Sequence, residues 1–178
     1  MMTKTMTKKN GKAVKSGLHS TRIDIPSKAR TQLVDILNES LGRTFDLFSQ
    51  VKQAHWNVKG HQFYQLHLLF DEIASELLEY TDEQAERITA LGGTAMGTVR
   101  MAAFATDLEE YPTDILESMD HVAALADRFA PYCQSLREYI DKATELGDAD
   151  TADLFTEISR TADKRLWFLE AHLQTDEG

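Results

Sequence analysis

Four side chains in one stretch of sequence, His67, Asp71, Asp82 and Glu86, have types and spacings that suit metal chemistry. On a helix turning about 100° per residue, with His67 at zero, Asp71 falls near 40°, Asp82 near 60° and Glu86 near 100°. All four share one face. His67 with Asp71, and Asp82 with Glu86, are each one turn apart, so each pair can grip one ion. Asp71 and Asp82, however, lie about 16 Å apart along the axis, so one helix cannot bring the four donors to a point. A single chain offers two half-sites.

The two pairs are mirror-spaced about positions 76 and 77. If two copies of this helix cross antiparallel there on a two-fold axis, His67 faces the partner's Glu86, Asp71 faces the partner's Asp82, and one dimer holds two equivalent sites. Ala74, Ser75 and Leu78, small or apolar, are expected to face outward between the pairs. Mixed imidazole and carboxylate donors suit Fe²⁺ better than Ca²⁺ or Mg²⁺, with zinc as a competitor. The competing explanation is a solvated helix face, with Arg87 at hand for ordinary ion pairing.

The elements that must position these residues are helical throughout. Pro26 suits a first turn, and Leu33, Ile36, Leu37, Leu41, Phe45, Phe48 and Val51 follow at helical spacing, which predicts a helix over 27–57. A second, over 61–91, is expected to pack through Leu66, Phe70, Ile73, Leu77 and Ile88 and to stop at Gly92-Gly93. Residues 92–113 read as a long crossover with a short helix at "MAAFA". A third long helix spans 114–146, with a kink expected at Pro131, and a fourth, capped by Asp150 or Thr151, reaches 173. The expected fold is all-α: a ferritin-like four-helix bundle with a short extra helix in the crossover between helices two and three.

Residues 1–25 read as a flexible basic N-terminal arm and 26–178 as the bundle domain. Lys4, Lys8, Lys9, Lys12, Lys15 and Arg22 stand in the arm with no acid among them, on a chain of net charge −10. The single cysteine, Cys133, excludes an intramolecular disulfide and disfavours a Cys-based zinc site. No run is apolar enough for a membrane helix, and the expected location is cytoplasmic.

"HWNVKGHQFYQLHLLFDE", followed by "DEQAERITALGGTAMGT" and "DTADLFTEISRTADKRLWFLE", resembles the Dps family, the DNA-binding proteins from starved cells, which are mini-ferritins. The likeness covers residues 27–173. It implies hollow dodecamers, with ferroxidase centres shared across two-fold interfaces. His55, His67 and Asp71 would come from one subunit and Asp82 and Glu86 from its neighbour. It also implies oxidation of Fe²⁺, with hydrogen peroxide as the oxidant, and storage of ferric mineral in the cavity. Trp56 would lie close to the iron. The Glu-x-x-His motif of an intra-bundle di-iron site is absent: Ser16, Lys52, Val58, Tyr64, Ser118 and Leu169 stand three residues before the six histidines.

Three further groups take a role from that frame. Glu72, Glu76, Glu79 and Glu83 form one acidic stripe, read either as a mineral-nucleating cavity lining or as a solvated face. Glu145, Asp148, Asp150 and Asp153 cluster where the last helix starts, read either as the lining of a three-fold iron pore or as an N-cap cluster. The basic arm is the candidate contact for double-stranded DNA, bound through phosphates without regard to sequence, which would associate the protein with the nucleoid. Trp167 is expected in the core.

Overall fold

The computed structural model describes residues 17–174. Pro26 precedes α1 (Ser27–Asn57), whose apolar repeat buries Leu33, Leu37, Leu41, Leu47 and Val51 completely. After Gly60, at φ +96°, α2 (Phe63–Ala90) returns with Leu66, Phe70, Ile73, Leu77 and Ile88 turned into the core. The long crossover carries α3 (Val99–Ala105), capped by the Thr98 hydroxyl. The second hairpin is α4 (Ser118–Glu145) with α5 (Ala149–Leu173). These five α-helices, without a strand, are the regular elements among the described residues.

Two helices end alike. At the end of α2 the Gly93 N–H donates to Ile88 O and the Gly92 N–H to Thr89 O, with Gly92 at φ +84°. At the end of α4 the Asp148 N–H donates to Ala143 O and the Gly147 N–H to Thr144 O, with Gly147 at φ +78°. Both are Schellman closures, which satisfy the last carbonyls through a left-handed glycine.

The bundle is two long hairpins, α1 with α2 and α4 with α5, joined through α1–α4 and α2–α5 contacts, with α3 lying across α1. Gly42 permits that crossing, since a Cβ there would stand 2.6 Å from the Cβ of Ala105. The structure departs from the sequence-based expectations in several places. α4 starts at Ser118 rather than 114, and it runs unbroken through Pro131, which is exposed, so the missing N–H falls on the solvent side. Ala74 is buried, not outward, and Trp167 is exposed rather than in the core. Residues 17–25, expected in the arm, are packed: Leu18 and Ile25 lie on the core, and the His19 N–H donates to Gly92 O at 2.7 Å. Arg30 holds this strap from below, donating to Ile25 O at 3.1 Å and to Leu91 O at 2.8 Å.

Candidate metal centre

His55 stands in the last turn of α1 and His67 in the first turns of α2, so the α1–α2 turn brings them face to face. Their rings stack with centroids 3.7 Å apart. His55 Nδ1 lies 2.8 Å from the backbone oxygen of His67, and His67 Nδ1 lies 2.9 Å from that of His55. A carbonyl oxygen only accepts, so each Nδ1 carries the proton and each Nε2 is left as a bare lone pair in the neutral ring. The exchange also gives the His55 carbonyl, one of the four that a helix end leaves without an intrahelical partner, a donor. Two imidazoles are thereby fixed in the tautomer and orientation that a metal ligand needs, with backbone as the outer support.

Asp71 lies one turn beyond His67, its Oδ1 3.9 Å from His55 Nε2. The same oxygen accepts from Lys52 Nζ at 2.8 Å. The hydrogen bond and charge of Lys52 hold the Asp71 carboxyl below the ordinary aspartate value. Asp71 is more than half exposed, so solvent screens the pair and the lysine holds the carboxylate only weakly. Lys52 Nζ also stands 5.8 Å from the ring centroid of Trp56, which is exposed at the edge of the group.

Asp82 and Glu86 are exposed further along the same face of α2. Leu68, Asp71, Glu72, Ser75, Glu76 and Arg165 line one surface groove, and Asp82 lines a second with Ser75 and Leu78. Ser75 is common to both. The uncovered face between the half-sites carries Leu68 and Leu78, each nearly half exposed. Among the described residues of one chain, no three His, Cys, Asp or Glu side chains converge to hold an ion. His55 and His67 are brought face to face, with Asp71 adjoining His55 at 3.9 Å, while Asp82 and Glu86 are not joined to them within the chain.

The other acidic groups separate into two kinds. Glu76 is gripped by Arg165 at 2.6 and 2.7 Å, and Glu72 meets the same guanidinium at 3.4 Å. Among the described residues no ion pair holds Glu79 or Glu83. Burial, followed by the charges of Glu157 and Glu79, raises the Glu83 carboxyl.

Asp148 does not suit a pore lining. It is 2% exposed and caps α5; Arg87 Nη2 donates to its two oxygens at 2.7 and 2.8 Å, and the Thr151 N–H and hydroxyl donate as well. Every acceptor direction is engaged, so the cap is Asp148 rather than Asp150 or Thr151. Glu145, Asp150 and Asp153 are exposed around the same turn. Arg22 is exposed on the packed strap, while Lys4, Lys8, Lys9, Lys12 and Lys15 lie outside the described residues. His61 is exposed in the α1–α2 turn, and His121 is buried with Nδ1 2.7 Å from the Tyr111 hydroxyl.

Sequence reasoning named Arg87 only as an ion-pair partner near Asp82 and Glu86, and it did not identify Lys52 or Arg165 as partners of the acidic side chains of α2. The available signal for Lys52 and Arg165 was their sign, since each is a cation whose partners are carboxylates of α2, whereas Arg87 pairs with Asp148.

Comparison with known proteins agrees with this architecture. The Ferritin family model, a ferritin-like domain, matches residues 34–178. A DNA protection during starvation protein of Agrobacterium fabrum is 47% identical over 156 residues, covering 88% of this chain and 96% of that protein. The crystal structure of an archaeal Dps homologue from Halobacterium salinarum superposes with a TM-score of 0.86 at 28% identity, covering 96% of each chain. That of a Vibrio cholerae Dps protein, described as a member of a broad superfamily of ferritin-like diiron-carboxylate proteins, gives 0.81 at 28%, covering 87% of this chain and 97% of that one. With the matched domain, the five-helix bundle and nearly half of the 156 aligned residues identical to that relative, this chain belongs to the Dps family of ferritin-like proteins.

Proposed function

We propose that this protein oxidises Fe²⁺ at centres shared between two subunits and stores the ferric product as mineral inside a hollow dodecamer. His55, His67 and Asp71 of one subunit and Asp82 and Glu86 of its neighbour bind the substrate iron. The observation that carries the reading is the pair of stacked histidines, each Nδ1 turned to a backbone oxygen, beside Asp71 on a face of α2 that is exposed among the described residues. Two Fe²⁺ each give up one electron, hydrogen peroxide takes both together with two protons, and water leaves. Taking the electrons as a pair avoids the one-electron step that releases hydroxyl radical, which protects nearby DNA. The carboxylates, hard and anionic, favour the ferric product. Zinc, which accepts the same donors, competes for the centre.

Exposed Glu145, Asp150 and Asp153 are proposed to draw cations toward a pore, and Glu79 and Glu83 to seed mineral. Stopped-flow absorbance of Fe²⁺ with peroxide, and separately with oxygen, tests the chemistry. His67→Ala and Asp82→Ala should each lose the fast phase, and variants that keep it would refute the assignment.

A second activity, sequence-independent DNA binding, is proposed from five lysines among residues 1–16 with no acid between them. A gel shift should show salt-sensitive binding that disappears on deleting 1–16, leaving the Arg22 strap in place; equal binding by the truncated chain would exclude this mechanism. The protein is proposed to act in the cytoplasm, at the nucleoid where the arm engages DNA.

A further inference from the structure

Arg165 is a buried cation in an unusual place. It projects from α5 under α2 with 7% of its surface exposed, its guanidinium 5.4 Å from the Phe168 ring centroid. Nε and Nη2 take the two oxygens of Glu76 at 2.7 and 2.6 Å, and Nη1 reaches Glu72 at 3.4 Å. Glu72 is the residue after Asp71, and Glu72, Glu76, Arg165 and Asp71 line the same groove. The centre therefore has two further carboxylates beside it, spaced one turn apart like the pairs that bind metal.

Those two carboxylates are engaged differently from Asp71. The cation on Asp71 is a lysine on a flexible stem whose partner is more than half exposed, so it can swing away as metal arrives. The cation on Glu76 is a planar fork engaged at both nitrogens and enclosed by the bundle, with no solvent position to retreat to. An incoming ion would have to strand it, unpaired, in the interior. The contact with Glu76 raises the pKa of Arg165, opposing the effect of burial.

We propose that Arg165 is a specificity-determining residue of the centre: by holding Glu76 and Glu72 it withdraws them from metal binding, so that divalent cations in this groove are directed to Asp71 and its histidines. The inference rests on the reading of the centre given above. Without Arg165, Glu72 and Glu76 form an i,i+4 carboxylate pair open to the groove, able to compete for iron next to the site of oxidation.

Calorimetric titration with Zn²⁺, which undergoes no redox change, tests this on the assembled full-length protein. Arg165→Gln should gain about one cation equivalent per subunit over wild type, and Glu76→Gln added to it should remove the gain. Arg165→Lys, which keeps the charge, should stay at the wild-type count. A count in Arg165→Gln equal to wild type overturns the inference. Should Arg165→Gln fail to assemble, Glu72→Gln decides, because Glu72 is exposed and its loss leaves the two-pronged Arg165–Glu76 pair in place. An unchanged Zn²⁺ count supports the withdrawal of this pair, and the loss of an equivalent overturns it. His67→Ala separates the two questions: if it leaves the Zn²⁺ count unaltered, the reading of the centre is wrong whatever Arg165 does.

Discussion

His55 and His67 hold each other through the backbone: each ring Nδ1 donates to the other residue's carbonyl oxygen, at 2.8 and 2.9 Å, across the turn between α1 and α2. A pair of metal-ready imidazoles is thus built into the path of the chain. Any distortion of the turn at Gly60, which needs its φ of +96°, is felt at both rings together.

On the proposed reading of the centre, Lys52 competes with metal for Asp71. Replacing it by Met removes the ammonium while keeping the apolar stem against Trp56, so Fe²⁺ should bind about two- to fivefold more tightly, the worth of a surface ion pair. Initial oxidation rates at sub-saturating Fe²⁺ measure this. A weaker-binding Lys52→Met would mean that the lysine supports the site instead.

Asp148 is a structural clamp. Asp148→Ala takes from Arg87 its buried carboxylate and from α5 its cap, and should cost about 3–5 kcal/mol, lowering the melting temperature well below that of Asp150→Ala. Burial pushes the Asp148 carboxyl up, but hydrogen bonds from Arg87 and Thr151 outweigh it and the net displacement is downward. A depressed folded value means that this stabilisation is complete above the ordinary aspartate range, about pH 4, and is lost as pH falls through the lower folded value. The stability gap between wild type and Asp148→Ala should therefore close only in strong acid, as denaturant titrations across pH would record.

His121 works in a milder pH range. Burial lowers its pKa, with Asp120 on its own helix opposing and Lys59 from the α1–α2 turn assisting. Among the described residues its Nε2 has no partner, so the imidazolium, with both ring nitrogens as donors, would hold a buried N–H unpaired. The folded value lies below the unfolded one, so stability should decline as pH falls from about 6.5 toward the folded value. His121→Gln should flatten that decline, and an unchanged slope would assign it to other groups.

How far the sequence could be read depended on whether a residue's partners sat on its own helix. The bounds of α1 follow from Pro26 and an uninterrupted apolar repeat, and the packed stripe of α2 follows from its own periodicity. Ala74 lies at the edge of that stripe, where the neighbouring helices decide burial, and its helical angle alone misplaced it. Trp167 likewise sits on the open side of α5. That His67, Asp71, Asp82 and Glu86 share one helix could be read because their spacing is local. The exchange between His55 and His67 spans a turn whose path no spacing encodes, and the roles of Arg87 and Arg165 depend on contacts 61 and 89 residues away. Those contacts also explain why Asp148 and Glu76, indistinguishable by composition from their exposed neighbours, are withdrawn from the surface chemistry expected of them.

The central claim is that one centre draws on two chains, and mixing two inactive variants tests it most directly. In a dimer of His67→Ala with Asp82→Ala, one site keeps every ligand and the other loses two. Co-assembly at random should restore about one quarter of the wild-type fast iron oxidation, although each variant alone has none. Mixed assemblies as inactive as their parents would show that the ligands do not meet across an interface, and the account would be wrong.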